Sequence, residues 1–230
     1  MNRKLKAIGL GLLVALAASI LSVTGGGGAS AETGGHFTSD SANNTKIKGE
    51  ETGFAPHTTR FHANGHKFKC VTANYLGEVV GNTATEVLLT PEYIGCYWEK
   101  SETEFPAITV AHNGCKYKVT IRGVEPDKKH STASIVCPVG KKIEIKYEMC
   151  KISIGTQTIK KGGVVYTTKK TNDKHTITAD VTAEEIAYTR HEGLCIFLGT
   201  NAADGVLTGS VIVQGTDKDD NAVNITATGK

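Results

Sequence analysis

The histidines of this sequence are its most versatile candidates for general bases or metal ligands at neutral pH. His62 and His66 have the i, i+4 spacing that would place both on one face of a helix. Asn64-Gly65 lies between them and predicts a tight hairpin turn, which sends the two side chains to opposite faces. We therefore interpret them, together with His57, as exposed turn residues. Four further histidines remain candidate bases for a hydrolase: His112, His130, His175 and His191.

Asp217, Asp219 and Asp220 form an acidic cluster of the kind that binds calcium through carboxylate oxygens. An EF-hand loop counted from Asp217 needs a glycine at its sixth position and a glutamate at its twelfth. Ala222 and Thr228 occupy those positions, so this loop type is excluded. A polar hairpin tip is the favoured interpretation, with weak calcium binding as the alternative. No cofactor is predicted.

Motifs of the common enzyme classes are missing from the sequence. It has no G-x-S-x-G nucleophile elbow, no Walker loop and no G-x-G-x-x-G. His191-Glu192 does not continue into a zinc protease motif, because Cys195 stands where the second histidine is needed. Trp98 could contribute to a sugar or peptide platform, although packing near a cysteine is the favoured role. The sequence thus predicts a protein without enzymatic activity.

The six cysteines predict disulfides. The closest two are Cys137 and Cys150, so the short ligand pairs of a structural zinc site are missing. Three cysteines lie in each half, so complete pairing needs at least one bridge across the middle. Joining the end of one strand to the start of the next predicts Cys96–Cys115 and Cys137–Cys150. The remaining pair, Cys70–Cys195, supplies the bridge across the middle.

Residues 1–31 have the features of a secretory signal peptide: basic residues, an apolar run over 7–23, and an A-x-A-like cleavage site. The mature chain is expected to begin near Glu32, to contain about 199 residues, and to have no transmembrane segment. The formal charge of +3 comes entirely from three leader residues, Arg3, Lys4 and Lys6. The mature chain is therefore neutral, which gives no support to nucleic-acid binding. A secreted location, extracellular or cell-wall-associated, is predicted.

Strand signals dominate the mature chain. Val71, Ala73 and Tyr75 share one parity of an alternating pattern, and residues 143–147 alternate most regularly. The parity changes at Met149–Cys150, which predicts a bulge or a turn there. Thr182–Glu185 has the spacing of a helix capping box, but we favour a strand with a kink at Glu184–Glu185.

Three hairpins are predicted. Asn113-Gly114 as a type I′ turn would pair His112 with Cys115, Val110 with Tyr117, and Ile108 with Val119. Asn64-Gly65 would pair Ala63 with His66 and Phe61 with Phe68. The third hairpin turns around Asp217–Asn221, between two apolar runs that end the chain: Leu207, Val211 and Val213, then Val223, Ile225 and Ala227.

Many short strands without intervening helices indicate an all-β fold: an antiparallel β-sandwich or barrel, built of sequential hairpins and stapled by disulfides. Residues 53–230 are predicted to form a single β domain. Residues 32–52 are polar and are expected to be partly loose.

Four segments resemble a group of uncharacterised exported β proteins of soil actinobacteria: Phe37-Thr-Ser-Asp-Ser41, Asn113-Gly-Cys-Lys-Tyr117, Ile135-Val-Cys-Pro-Val-Gly140 and Thr208-Gly-Ser-Val-Ile-Val-Gln-Gly215. These segments span most of the mature chain and carry no catalytic chemistry. The resemblance implies a secreted β domain with six cysteines and a Gram-positive setting. It implies no activity and no functional residues.

Three functions remain open. The favoured one is a non-enzymatic secreted or wall-associated β domain, a binding or structural module of unknown partner. The first alternative is a barrel that carries a small apolar ligand, which an enclosed apolar cavity of about 300 Å³ or more would support. The second is a secreted hydrolase whose catalytic groups converge from separate strands.

Overall fold

The structure, a computed structural model, describes residues 35–41, 43–51, 58–64, 66–99, 107–125, 128–147, 150–171, 174–191 and 202–228. The regular structure of these residues is β-strand throughout, with no helix among them. Every strand pair is antiparallel. The predicted all-β antiparallel fold is confirmed.

The main sheet is a sequential meander with eight strand positions, some of which hold two or three consecutive strands. In chain order these positions are β2 (Thr45–Glu51) with β3 (Arg60–Ala63); β4 (His66–Val79); β6 (Glu86–Trp98); β7 (Ala107–Ala111) with β8 (Lys116–Glu125); β9 (Lys128–Val136) with β10 (Ile143–Tyr147); β11 (Cys150–Ile154), β12 (Gln157–Thr158) and β13 (Lys161–Thr171); β14 (Lys174–His191); and β15 (Ala202–Thr216).

The last position pairs with the first, so the sheet closes into a barrel. Strand β15 pairs with β14 on one edge, and with β2 and β3 on the other. Strands β2 and β3 both pair in turn with β4. Among the described residues, each of the eight strand positions is therefore paired on both sides, which satisfies backbone groups that the edge of an open sheet would expose. Of the two predicted architectures, the pairing supports the barrel.

The Asn113-Gly114 turn forms as predicted, but the chain does not reverse there. The Cys115 amide donates to the His112 carbonyl at 2.8 Å, and both turn residues have positive φ. The predicted pairing of Ile108 with Val119 is nevertheless wrong, and so is that of Val110 with Tyr117. Both β7 and β8 pair with β6, so they run in the same direction.

The register shows that this turn is a bulge in one long strand. Nine residues separate Ile108 from Tyr117, whereas seven separate their partners Cys96 and Leu89. The turn therefore inserts two extra residues without changing the strand's direction. An Asn-Gly pair at positive φ permits a hairpin, but the hydrogen-bond partners of the flanking residues decide whether one forms.

Of the other two predicted hairpins, one forms as predicted and one forms in part. Strands β3 and β4 pair Ala63 with His66 and Phe61 with Phe68, as predicted. The last hairpin is confirmed only at its tip, where β15 pairs with β16 (Ala222–Val223). The next strand, β17 (Ile225–Thr228), leaves β15 and pairs with β1 (His36–Ser39).

Strand β14 contains the predicted kink. It is continuous from Lys174 to His191, and its register with β15 shifts between Ala183 and Ile186. Glu185 lies at this bulge with φ of 58°. The prediction of a kinked strand rather than a helix is confirmed. The parity change predicted at Met149–Cys150 falls on Met149, outside the described residues, but Ile145 does pair with Ile152.

Strand alternation divides the barrel into an apolar interior and a polar exterior. In β8, Tyr117, Val119 and Ile121 face inwards, and the residues between them, Lys118 and Thr120, face outwards. Val71 departs from the parity that the sequence predicts. Its side chain is 65% exposed because the inward face of β4 shifts between Cys70 and Ala73.

One end of the barrel is capped by a small three-stranded sheet, ordered β17–β1–β5, in which β5 is Thr83–Ala84. Strand β17 contacts β13 and β14, while β1 contacts β4 and β8, so the sheet crosses the barrel interior. Phe37 and Ile225 from the cap are buried in the core there. Within residues 32–52, the segment expected to be partly loose, β1 and β2 are regular strands. In β2, Thr45 and Ile47 point inwards and alternate with exposed lysines.

Candidate ligand-binding site

The barrel interior contains an apolar cavity with a volume of about 130 Å³. Side chains from both apolar core clusters line it, and it runs between them. The lining residues are aliphatic, aromatic, cystine, glycine or threonine, and none of them is charged. Its volume does not reach the expected value of about 300 Å³ that would support a ligand-carrying barrel, which is also the lower end of the range of drug-sized pockets. It is close to the roughly 150 Å³ apolar cavity that accepts benzene. The interior is therefore not fully packed, and the space suits a molecule of single-ring size.

Four tyrosines among the described residues line this apolar space: Tyr166 of β13, and a group of three on neighbouring strands. Tyr75, Tyr93 and Tyr117 come from the neighbouring strands β4, β6 and β8, and all three line the cavity. The Tyr93 and Tyr117 hydroxyls are 2.8 Å apart. The Tyr75 hydroxyl lies 3.4 Å from Thr59 Oγ1, and the rings of Tyr75 and Tyr93 meet edge to face with centroids 6.2 Å apart. The hydroxyls of Tyr117, Tyr93, Tyr75 and Thr59, which we call the hydroxyl row, all belong to residues that line the cavity.

The hydroxyl row lies between the two core clusters, and Tyr93 and Tyr117 pack against both. Burial is the main cause that raises the pKa of each tyrosine of the row above its ordinary value. The phenols therefore stay protonated, and the lumen is electrically neutral along the row. Sequence reasoning placed Tyr75 on an alternating face and assigned it no role. The sequence feature that could have revealed the row is a tyrosine at an inward-facing position on each of three strands that are neighbours in the sheet.

Glu51 is a carboxylate on the inward face of β2, next to the row. Its Oε1 accepts a hydrogen bond from the Thr59 amide. Its Oε2 is buried and has no hydrogen-bond partner among the described residues. Burial raises the pKa of Glu51, and the hydrogen bond from the Thr59 amide opposes this shift. The buried, half-satisfied carboxylate adds a second polar group near Thr59.

The disulfides differ from the predicted pairing. Cys70 is bonded to Cys96, and Cys115 is bonded to Cys137. Cys150 is also disulfide-bonded. The predicted bridges Cys96–Cys115, Cys137–Cys150 and Cys70–Cys195 are therefore wrong, although Cys195 itself lies outside the described residues.

Both observed bridges join adjacent strands rather than the ends of a loop. Cys70 lies inside β4, directly opposite Cys96 of β6. Cys115 and Cys137 flank the Lys116–Val136 pair of β8 and β9. The prediction failed because it took Cys70 as the start of a strand, whereas β4 begins at His66. The requirement for a bridge across the middle of the chain is confirmed by Cys115–Cys137.

His62 and His66 lie on opposite faces of their hairpin, as predicted. His66 packs against Trp98 with ring centroids 4.9 Å apart. The Nε2 atom of His62 is buried, and burial lowers the pKa of this histidine. The sequence predicts that both are exposed turn residues, whereas both side chains are partly buried in the structure. His57 lies outside the described residues.

One candidate base contacts a hydroxyl. His191 Nε2 lies 2.7 Å from Ser153 Oγ on the outer face of the barrel. Ser153 is 2% exposed, so a substrate cannot reach its oxygen without local opening. Glu144, the residue opposite Ser153, binds Lys151 and Lys146 through its carboxylate. The pair therefore acts as a buried hydrogen bond that joins β11 to β14.

The structure places none of the remaining candidate bases beside the His191–Ser153 pair among the described side chains. His112 lies beside the Asn113-Gly114 turn, where its Nδ1 accepts a hydrogen bond from the Gly114 amide at 3.3 Å. His130 and His175 belong to β9 and β14, and their side chains lie outside the described residues. The described residues thus bring one histidine to a serine and assemble no accessible catalytic group.

The acidic cluster forms the tip of the last hairpin. Asp217 Oδ1 accepts hydrogen bonds from the amides of Asp219 and Asn221. Asp220 pairs with Lys46 at 2.8 Å, and Asp219 pairs with Lys218. Across the described ranges, no group of three His, Cys, Asp or Glu side chains could hold a metal ion. The geometry therefore favours the polar hairpin tip over the calcium alternative.

Trp98 is a core residue. Its side chain is 6% exposed and lies between His66 and Tyr147, whose ring centroid is 5.1 Å from its own. This arrangement confirms the packing role and leaves no surface for a sugar platform.

The fold and the lumen together define a disulfide-bonded, eight-position antiparallel β-barrel with a small apolar cavity. No protein-family model, curated protein or solved structure matches the chain. In the part of the chain that the structure describes, no helix is long and apolar enough to cross a membrane.

Proposed function

We propose that this protein is an exported, non-enzymatic module that binds a small apolar ligand inside its barrel. The observation that carries this proposal is the uncharged, apolar cavity of about 130 Å³ in the interior. Barrels of about eight strands have interiors just wide enough to be filled by side chains or to hold one small ligand. An unfilled apolar space forfeits contacts with its lining, and a ligand of matching size restores them.

Export is the second part of the proposal. The signal-peptide pattern of residues 1–31 supports it, and so do the disulfides, which persist in oxidising compartments. Terminal sequencing of the protein recovered from the culture medium or the wall fraction should begin within a residue or two of Glu32. Recovery of an intact Met1 terminus from a membrane fraction would contradict export.

Ligand binding is tested with toluene as the probe. The measurements are the heat of binding and the rise in melting temperature, which grows with ligand concentration for a molecule that binds the folded state. Ala133→Leu places a larger side chain on the cavity lining, since Ala133 lines the cavity and is 8% exposed. This variant should lose toluene binding while the barrel stays folded.

Thr132→Leu is the matched control, because Thr132 precedes Ala133 on β9 and faces outwards. It should bind toluene as the native protein does. No heat and no rise in melting temperature with the native protein would refute the proposal. Equal loss of binding in both variants would show that the probe does not occupy the lumen.

A further inference from the structure

The hydroxyl row specifies more about the ligand than the apolar lining does, and this inference rests on the proposed function. In the row, the Tyr117 hydroxyl is hydrogen-bonded with that of Tyr93, and the Tyr75 hydroxyl lies beside Thr59 Oγ1. Each phenol hydroxyl can donate one hydrogen bond and also accept one. Among the described residues, Tyr93 is the hydrogen-bond partner of the Tyr117 hydroxyl.

The Tyr117 hydroxyl therefore has an unused hydrogen-bonding position. If Tyr93 donates to Tyr117, the Tyr117 proton has no acceptor among the described residues. If Tyr117 donates to Tyr93, the Tyr117 oxygen has no donor among them. In either direction, a ligand hydroxyl beside Tyr117 can complete the row, because a hydroxyl both donates and accepts. In apolar surroundings, completing a buried hydrogen bond is worth more than the same contact in water.

The lumen also fixes the charge of the ligand. Its lining holds no charged side chain, and the tyrosines remain protonated. An ionised ligand would lose its hydration without gaining an opposite charge, which is strongly unfavourable. The cavity therefore selects neutral molecules.

The aromatic walls favour a flat ring. The rings of Tyr75 and Tyr93 meet edge to face with centroids 6.2 Å apart, and the ring of Tyr117 is 6.2 Å from that of Tyr75. A bound aromatic ring can extend this edge-to-face packing. The volume of about 130 Å³ limits the ligand to one ring with small substituents.

We infer that the lumen binds a neutral, single-ring phenol, with the ring in the apolar cavity and the hydroxyl hydrogen-bonded to Tyr117. The apolar lining supplies contact area for any small ring, and the hydroxyl row supplies the preference for a ring that bears a hydroxyl.

The test compares phenol with toluene, which have the same shape and differ in whether the ring carries a hydroxyl or a methyl group. Dissociation constants for both are measured by calorimetry with the native protein and with Tyr117→Phe. The variant should bind phenol about three- to tenfold more weakly, the effect of one net hydrogen bond, and should bind toluene unchanged or more tightly.

Tyr188→Phe is the control variant. Tyr188 is a buried tyrosine whose hydroxyl donates to Asp204 at 2.8 Å, and it does not line the cavity. It should leave the affinities for both probes unchanged. Thermal unfolding of each variant checks that the barrel is intact, and Tyr93→Phe, which breaks the row at its next member, provides a second variant if Tyr117→Phe does not fold.

The outcomes separate this inference from the proposed function. A loss of phenol affinity alone in Tyr117→Phe supports both. Binding of both probes with no selective loss in Tyr117→Phe, or in Tyr93→Phe where that variant replaces it, overturns the inference and leaves the apolar site standing. Failure of both probes to bind the native protein overturns both.

Discussion

The Cys70–Cys96 bridge should both stabilise the barrel and limit the size of its lumen. Both of its cysteines line the cavity, and they are separated by 26 residues in the sequence. In the chain-entropy model, a closed loop of this length stabilises the fold by about 3.5 kcal/mol. Replacing both cysteines with alanine should reduce the free energy of unfolding by about that amount. A protein of ordinary stability, about 5–15 kcal/mol, would remain folded.

The second bridge provides a matched control. Cys115 and Cys137 are separated by 22 residues and do not line the cavity. The same model gives a loss of about 3.4 kcal/mol when both are replaced with alanine. The two double variants should therefore be equally destabilised. Only the first should gain lumen volume, because only its cysteines line the cavity.

Two assays measure these effects. Urea unfolding followed by circular dichroism gives the free energy of unfolding of each double variant. Calorimetry with toluene and para-xylene reports the lumen, and para-xylene affinity should rise relative to toluene in the Cys70/Cys96 variant alone. A loss below about 1 kcal/mol in either variant would refute the entropy reasoning. The same para-xylene preference in both variants would refute the placement of Cys70–Cys96 on the cavity wall.

Three further predictions follow from individual residues. Burial raises the pKa of Glu51 above 4.5, so the contribution of its protonated form to stability is present at low pH and is lost as the pH rises through the raised pKa. Glu51→Gln should therefore raise the melting temperature more at pH 7 than at pH 4. An equal rise at both pH values would contradict this. Glu185 has φ of 58°, so Glu185→Gly should stabilise the barrel by about 1 kcal/mol in urea unfolding, whereas Glu184→Gly should not. Cys195 is the one cysteine left for the disulfide-bonded Cys150, so non-reducing peptide mapping should recover Cys150–Cys195, and a free thiol at Cys195 would contradict it.

Local sequence pattern predicted the faces of most strands correctly. Period-two alternation identifies which side chains share a face, because successive residues of a strand point to opposite sides. It therefore placed Ile145 and Ile152 in the core and kept 182–185 in a strand. It missed β2, where Thr45 and Ile47 alternate with lysines, because the polar composition of the segment outweighed its alternation.

Pairing partners were predicted less well, because they depend on residues far away in the chain. The Asn113-Gly114 turn has the same local geometry in a hairpin and in a bulge. Strand β6 offers hydrogen-bond partners to both flanking strands, and this decides between the two. The disulfides failed for the same reason, since Cys70 meets Cys96 only once the register of β4 against β6 is set.

The sequence by itself determined the all-β class, the alternation of faces and the need for a bridge across the middle of the chain. These follow from properties of single residues and their near neighbours. Tertiary structure alone decided that β15 returns to β2 and β3 and closes the barrel, and that Tyr75, Tyr93 and Tyr117 meet inside it. Alternation reports which way a side chain points and carries no information about which strand lies beside it. The hydroxyl row, and with it the proposed ligand chemistry, exists only because three separate strands are neighbours.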